Sequence, residues 1–248
     1  MTTLGPLYLC ASRQTYHGFH SQHLSTEASL HLLMLSAAVK QLNQVDMTGL
    51  ESSRQPVTGS CHCGTVKYVI FITLPPVHNE SNPPGKQDQR IYRCNCTMCH
   101  KAGFFHVRVA NTTDDFLLLS PLNPLEELGD YLVNKKVLHW LYCKTCGVRC
   151  FTFMGTGELV HLDLAQLGVP GYLDTNIKTR VWRAKEGGGH PDYGTYLSVN
   201  GNTVDASATV FDMRSLVEQK CVQYYDYLAE DDQRQPVRYR QPHRAGCY

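Results

Sequence analysis

Seven of the chain's 11 cysteines fall into three short motifs whose spacing suits metal binding. A tight turn aims both sulfurs of a C-x-x-C pair at one point, and on an extended segment the side chains at i and i+2 share a face. Thiolates held in this way are ligands that zinc binds at about 2.3 Å. The motifs are Cys61-His-Cys63, Cys94-Asn-Cys96-Thr-Met-Cys99 and Cys143-Lys-Thr-Cys146, the last followed by Gly147.

The number of these cysteines indicates two unequal zinc sites. Four sulfurs complete a closed structural site, whereas three leave a coordination position open, which is typical of zinc that binds or transforms a substrate. The spacing leaves open which pairs join, and whether His62 or His100 completes the second site. A module with two closed structural sites is therefore the alternative.

Disulfide and redox chemistry explain the motifs less well. An odd number of cysteines leaves one thiol unpaired, and a bridge within C-x-C is strained. The N-terminus has no basic region, and Pro6 interrupts its apolar stretch, so an export signal is not indicated. A redox C-x-x-C prefers a βαβ context, while Cys143 and Cys146 lie between strand-like runs.

The bulk composition limits the classes of partner that we expect the chain to bind. The chain of 248 residues has a formal net charge of +1 and no block of five or more like charges, so we expect no nucleic-acid partner and no membrane partner. The longest apolar stretch, residues 28–39, contains two serines and a histidine and is too short to span a bilayer. We expect a soluble, cytoplasmic protein, with the mitochondrion as the alternative compartment.

The residue composition and hydrophobic pattern divide the chain into three segments. Residues 1–56 form an N-terminal extension that is partly helical, at residues 26–43, or disordered; a presequence and a true start at Met47 are the alternatives. Residues 57–230 form the zinc-binding domain, with a motif core at 57–163. Residues 231–248 are polar and are expected to form a flexible C-terminal tail.

Short runs rich in β-branched and aromatic residues, separated by Gly, Pro and Asn, predict a mainly β domain of antiparallel strands with few short helices. We expect a helical turn at residues 97–101, a helix at 216–228 and a flexible loop at 186–194. The predicted strands lie at residues 65–72, 104–109, 116–119, 137–142, 150–153 and 158–164.

The three motifs and their flanking residues resemble the family of glutathione-dependent formaldehyde-activating enzymes, which includes centromere protein V. The order and the spacing match, and the similarity covers about residues 57–163, with a weaker continuation to about 230. The matching stretches are GSCHCGTVKY (59–68), CNCTMCHKAG (94–103) and YCKTCGVRCF (142–151).

This resemblance implies a β-tent fold, in which antiparallel sheets are built around zinc knuckles. It implies two zinc ions per chain, a structural one held by Cys61, Cys63, Cys143 and Cys146, and a catalytic one held by Cys94, Cys96 and Cys99. The activity it implies is that of a carbon–sulfur lyase that forms S-(hydroxymethyl)glutathione, with a small-molecule thiol such as glutathione as substrate.

A dication at the open site would lower the pKa of a bound thiol, so that the thiolate could attack a carbonyl such as formaldehyde. His100, Lys101 and His106 are candidates for proton transfer or carboxylate binding, although an ordinary structural role is expected for each. Phe104 and Phe105 are candidates for the pocket wall, with core packing preferred. Residues without motif partners, to which no role is given, are Cys10, Cys221, Cys247, Asp163 and Asp205.

The sequence departs from the family pattern at Cys150, where a proline or small residue is usual, in the N-terminal extension, and in an insert at residues 75–89. These departures leave the metal motifs intact. Two other functions remain: a non-enzymatic zinc module that binds protein or chromatin, and the same chemistry on another sulfur-containing metabolite. A basic arm would favour the module, and the N-terminal segment is neutral.

Overall fold

The computed structural model describes residues 51–205 and 211–246. The predicted helix at 26–43, Cys10 and Cys247 therefore lie outside the described residues, and the three-segment division stays a prediction. None of the helices in the described ranges is long and apolar enough to cross a membrane. The strands are β1 (Ser53–Ser60), β2 (Lys67–Leu74), β3 (Arg90–Cys94), β4 (His106–Arg108), β5 (Phe116–Ser120), β6 (Gly129–Val133), β7 (Leu138–Tyr142), β8 (Arg149–Met154), β9 (Gly157–Asp163), β10 (Lys178–Ala184), β11 (Tyr196–Asn200) and β12 (Val222–Tyr225). The α-helices are α1 (Thr97–Ala102), α2 (Pro124–Glu127) and α3 (Met213–Glu218), and single 3-10 turns lie at Gly201–Thr203 and Asp231–Gln233.

These strands form a five-stranded sheet, in the order β1-β2-β5-β10-β9, and a seven-stranded sheet, in the order β12-β3-β4-β11-β8-β7-β6. Neighbouring strands are antiparallel, except that β12 runs parallel to β3. The prediction of a mainly β fold with few short helices is confirmed.

The two sheets share one hydrophobic core. Alternate residues of β2, among them Tyr68 and Ile70, pack with Phe151 and Phe153 of the seven-stranded sheet. The residues between them, such as Val69, belong to a second cluster on the other face of the five-stranded sheet. Because β2 is buried on both faces, its sequence is almost continuously apolar rather than alternating.

A third cluster lies on the outer face of the seven-stranded sheet. Trp140 belongs to it, whereas its neighbour on β7, Leu141, belongs to the core between the sheets. Successive side chains of a strand point to opposite faces, so these two residues mark the two sides of the sheet. Cys94, Cys99 and Phe104 pack with Trp140 in this cluster, which places one cysteine motif on the outer face.

Each of the six predicted strand runs overlaps an observed strand, and the predicted helical turn lies within α1. The prediction of a helix at residues 216–228 is wrong beyond Glu218. Helix α3 ends at Glu218, Lys220 has a left-handed backbone with φ of 56°, and β12 follows. The apolar spacing there fits a helix, but parallel pairing with β3 gives the same residues, including Val222, a buried position in the sheet.

Part of the segment predicted as a flexible tail packs on the domain. Arg238 forms an isolated bridge with Tyr224 of β12, and Tyr239 and His243 are buried. His243 Nε2 lies 3.1 Å from the carbonyl oxygen of Tyr224. Two aromatic side chains thus anchor a segment whose composition is otherwise polar.

Candidate functional site

Two hairpin loops, one from each sheet, bring four cysteines together. Cys61 and Cys63 lie between β1 and β2, and Cys143 and Cys146 lie between β7 and β8. The loops close alike, because the backbone N–H of the first cysteine donates to the carbonyl oxygen of the residue five positions on, at 3.0 Å in both. Each loop also has a glycine with a left-handed backbone, a conformation that costs glycine little: Gly64 (φ 75°) and Gly147 (φ 74°).

The four sulfurs have the separation that a tetrahedral zinc requires. They lie within 4.8 Å of one another, and Cys63 Sγ is 3.5 Å from Cys61 Sγ and 3.6 Å from Cys143 Sγ. Zinc–sulfur bonds of 2.3 Å in tetrahedral geometry separate the sulfurs by about 3.8 Å. This group, which we call the quartet, could hold a metal ion, and its donors are compatible with zinc.

The environment of the quartet gives its thiols unequal acidities. Burial raises the pKa of Cys61 to about 11, although the N–H of Val66 donates to its sulfur at 3.2 Å. The hydroxyl and the backbone N–H of Thr65 lower the pKa of Cys63 to about 6. A bound dication favours the thiolate form of every ligand, so it would remove this difference.

The second group, which we call the trio, comes from one short segment. Cys94 ends β3, Cys96 is the N-cap residue of α1, and Cys99 lies within that helix. Their sulfurs lie within 4.8 Å of one another. Gly103 ends the helix with a left-handed backbone at φ of 57°, and the chain turns directly into β4.

Hydrogen bonds among the trio distribute its charge unevenly. They hold the pKa of Cys96 well below its usual range and raise the pKa of Cys94 and of Cys99, because the neighbouring thiols favour a single thiolate. Sulfur donors of this kind suit a soft or borderline cation such as zinc.

The trio has three ligands where the quartet has four. Over residues 51–205 and 211–246, no His, Cys, Asp or Glu places a further ligand atom within 4.8 Å of all three sulfurs. His62 and His100, the candidate fourth ligands, are exposed and belong to neither group. The two groups have the membership that the family resemblance implies, and the roles of structural and catalytic zinc stay predictions.

His106 lies beside the trio without belonging to it. The ring is buried, and its Nε2 atom is 3.2 Å from Cys99 Sγ. Its Nδ1 atom is 3.1 Å from Ser198 Oγ, and the ring stacks on Tyr92 with centroids 4.3 Å apart. Burial lowers the pKa of His106 to about 3, so the ring is neutral. His106 is one of the residues predicted as candidates for proton transfer or carboxylate binding, with a structural role preferred, and its contact with the trio is direct.

The other predicted residues near the trio have separate environments. Lys101 is exposed on α1, and Phe105 is buried in the core between the sheets. Phe104 packs against Trp140, with ring centroids 4.9 Å apart, in the cluster that holds Cys94 and Cys99. Trp140 Nε1 is a buried donor that has no hydrogen-bond partner among the described residues. One side of the trio is therefore an aromatic wall with an unsatisfied N–H group.

Asn95 is a residue beside the trio to which the sequence analysis assigned no role. It stands between two ligands of the trio and is buried. Its Oδ1 atom accepts from the backbone N–H groups of Tyr227 (2.6 Å) and Leu228 (2.9 Å), and its Nδ2 atom donates to Asp226 Oδ1 at 2.6 Å. The trio is thereby joined to the C-terminal segment, residues 226–246. Its position within C-x-C was the sole signal in the sequence.

The remaining singled-out residues have structural environments. Cys150 is buried in the core beside the quartet, where burial raises its pKa, and Cys221 is a buried thiol that donates to the carbonyl oxygen of Gln219. Asp163 accepts from the N–H of Gln166, and Asp205 accepts from the hydroxyl of Ser60. Each cysteine of the described ranges is a free thiol.

A cavity of about 800 Å³ lies elsewhere, and no member of the quartet or the trio lines it. Two arginines on its wall are already paired with carboxylates. Arg54 lies 2.8 Å from Asp115, and Arg183 lies 3.7 Å from Asp114. These carboxylates neutralise two of the three arginines that line the cavity, of which Arg90 is the third.

Comparisons with known proteins leave the family open. No family model matches the chain. A crystal structure of a Rhodobacter sphaeroides protein is similar to it, with 16% identity over 64% of this chain and 94% of that one, at a TM-score of 0.34. Similarity at this level says nothing about what the present chain does. The family resemblance depends on the three cysteine motifs alone.

Proposed function

We propose that the chain is a zinc-dependent enzyme of the carbon–sulfur lyase type, acting on a thiol adduct such as S-(hydroxymethyl)glutathione at the trio. One observation carries the proposal. Three sulfurs from a single short segment converge within 4.8 Å, and no fourth His, Cys, Asp or Glu of the described residues joins them. A metal site with three protein ligands keeps a position for a substrate atom.

Zinc at this position would supply a Lewis acid that stabilises a substrate thiolate at neutral pH. The residues of the chain hold and shape the site. The sulfurs of Cys94 and Cys99 are buried, and Phe104 and Trp140 limit the access of water from one side. The N–H group of Trp140, which has no partner among the described residues, is available to donate to an acceptor atom of a substrate bound beside it.

The quartet has a structural role in this proposal. Its four sulfurs satisfy all four positions of a tetrahedral ion, so it has no place for a substrate. Because its two loops come from different sheets, an ion there would join them.

The test uses the full chain and measures metal content together with turnover. The wild-type protein is expected to contain about two zinc ions per chain, and to accelerate the formation of S-(hydroxymethyl)glutathione from glutathione and formaldehyde, followed by NMR. Cys99→Ser removes a trio ligand, so it is expected to retain about one zinc ion and to react at the uncatalysed rate. Cys221→Ser, which changes a buried thiol outside both groups, is the matched control and should behave as the wild type.

Full turnover by Cys99→Ser would reject the trio as the active site. A wild-type protein with two zinc ions and no acceleration would reject the lyase proposal and favour the alternative, a non-enzymatic module that binds protein or chromatin. If a different thiol, and not glutathione, showed acceleration, the proposed reaction type would stand and the proposed substrate would be rejected.

A further inference from the structure

Each sulfur of the trio lies within 3.4 Å of a hydrogen-bonding nitrogen atom. The backbone N–H of Cys96 donates to Cys94 Sγ at 3.3 Å, and that of Cys99 donates to Cys96 Sγ at 3.4 Å. The third sulfur, Cys99 Sγ, is 3.2 Å from His106 Nε2. Two of the three donors thus belong to the backbone of the segment itself, and the third is a side chain from β4.

The surroundings of His106 determine which nitrogen carries its proton. Cys99 is a thiolate when it binds a metal, so it can only accept, and Nε2 must then donate. The neutral ring accepts at Nδ1, where the hydroxyl of Ser198 lies at 3.1 Å and that of Tyr196 at 3.5 Å. Hydroxyl groups can donate to Nδ1, so every contact of the ring agrees with a proton on Nε2.

A side-chain donor is needed at Cys99 because water has little access to it. Cys99 is 4% exposed, so solvent cannot stabilise the charge of its thiolate. A fourth thiolate from a substrate would add more negative charge to the same buried place. Hydrogen bonds from N–H groups to thiolates withdraw part of this charge and orient the ligand.

We propose that His106 is a positioning residue of the trio, and that its Nε2–H group completes a set of N–H···S hydrogen bonds that sets the metal affinity and the ligand strength of Cys99. Ser198 fixes the ring from the opposite side. Stacking on Tyr92, with ring planes 2° from parallel, holds the ring in the plane in which both contacts form. This inference rests on the proposed function only in assigning a metal to the trio.

The experiment uses Co²⁺ as the probe in the full chain and reads metal binding, not turnover. His106→Phe keeps an aromatic ring and removes the donor, while His106→Gln replaces the ring and keeps an amide N–H near the position of Nε2. Competition with a chelator gives the Co²⁺ affinities of both sites, and the sulfur-to-cobalt charge-transfer band reports the charge on the thiolates. The quartet serves as the internal control, and His139→Phe, on β7 with its ring 2.6 Å from Asp130, is the matched variant.

Loss of an outer hydrogen bond to a metal ligand weakens affinity by about 10- to 100-fold. We expect His106→Phe to weaken the Co²⁺ affinity of the trio by about 10-fold or more, while the affinity of the quartet stays unchanged. The charge-transfer band of Co²⁺ at the trio should move to longer wavelength. His106→Gln should restore most of the affinity and the band. His139→Phe should change neither.

Wild-type affinity and an unshifted band in His106→Phe would overturn the inference. An equal loss in His106→Gln would also overturn it, because ring packing rather than the N–H group would then be responsible. If circular dichroism shows that His106→Phe does not fold, Ser198→Ala provides the test. It should weaken the Co²⁺ affinity of the trio to a smaller extent, and an unchanged affinity would reject the inference. A missing lyase activity leaves these outcomes unaffected, since turnover is not measured.

Discussion

At the scale of single residues, Asn95 connects the trio to a distant part of the chain. Its amide makes hydrogen bonds with three consecutive residues, Asp226, Tyr227 and Leu228, and its Nδ2 atom also lies 3.3 Å from the carbonyl oxygen of Arg244. Because Asn95 lies between Cys94 and Cys96, these bonds fix the backbone from which two ligands project.

Asn95→Ala is expected to lower the free energy of unfolding by about 2 to 4 kcal/mol, since the backbone N–H groups of Tyr227 and Leu228 would lose their buried acceptor. The measurement is urea denaturation of the full chain, with limited proteolysis to detect release of residues 226–246. The control is Asn176→Ala, in an exposed turn where the side chain bonds only to Asp174, with a change expected within about 0.5 kcal/mol. Equal effects of the two variants would show that Asn95 does not hold the segment.

Residues of the site differ in how far the sequence revealed them. The seven cysteines were predictable as candidate metal ligands because C-x-C and C-x-x-C spacings act locally, and the turn geometry follows from the spacing itself. The partners of Asn95 and His106 were not, because Asp226 and Ser198 reach them only through the pairing of β12 with β3 and of β11 with β4. No local pattern encodes such pairings.

At the scale of elements, the quartet joins the β1–β2 hairpin of one sheet to the β7–β8 hairpin of the other. Cys63 and Cys143 are 80 residues apart in the sequence, so a metal bridge between them closes a long loop. A ligand that binds only the folded state, and whose free concentration is about 1,000 times its dissociation constant, adds about 4 kcal/mol to the free energy of unfolding.

Removal of metal with a chelator is therefore expected to lower the melting temperature of the wild type strongly, and that of Cys143→Ser much less, because the variant has already lost the bridge. Differential scanning calorimetry with and without chelator measures both. Cys150→Ala, a buried thiol beside the quartet that is not one of its ligands, should melt earlier but keep the full chelator response. A full response in Cys143→Ser would mean that the quartet does not stabilise the fold by holding metal.

The elements also show where prediction from sequence succeeds and fails. Strands such as β2 and β7 were predictable from runs of β-branched and aromatic residues. Strand β12 lies within the segment predicted as a helix, in which Leu216, Val217, Cys221 and Tyr224 have helical spacing. The left-handed backbone at Lys220 and the pairing with β3 decide the structure there, and both depend on the tertiary fold.

At the scale of the whole molecule, the C-terminal segment is part of the folded domain. Tyr239 is buried, its hydroxyl accepts from Gln223 Nε2 at 2.8 Å, and the neighbouring Arg238 pairs with Tyr224. The segment covers β12, which is the outermost strand of the seven-stranded sheet on that side.

A chain that ends at Glu230 is expected to be less stable than the full chain by about 3 kcal/mol or more, because it loses the burial of Tyr239 and His243 and exposes β12. Urea denaturation measures the difference. Tyr239→Ala should account for a large share of it, whereas Tyr193→Ala, at a position that is 51% exposed, should have little effect. Unchanged stability of the shortened chain would mean that residues 231–248 form the flexible tail that their composition predicts.

The arrangement of the two groups along the chain would determine the order in which the protein acquires the ions that we propose for them. The trio is complete within six consecutive residues, 94–99, so a nascent chain can capture an ion there before the rest of the domain has been synthesised. The quartet has its ligands at both ends of the central sequence and cannot assemble until Cys146 has emerged and the two hairpins have met. The trio could therefore bind zinc early and independently of the rest of the fold. Binding of zinc by the quartet would require that the two sheets have already come together.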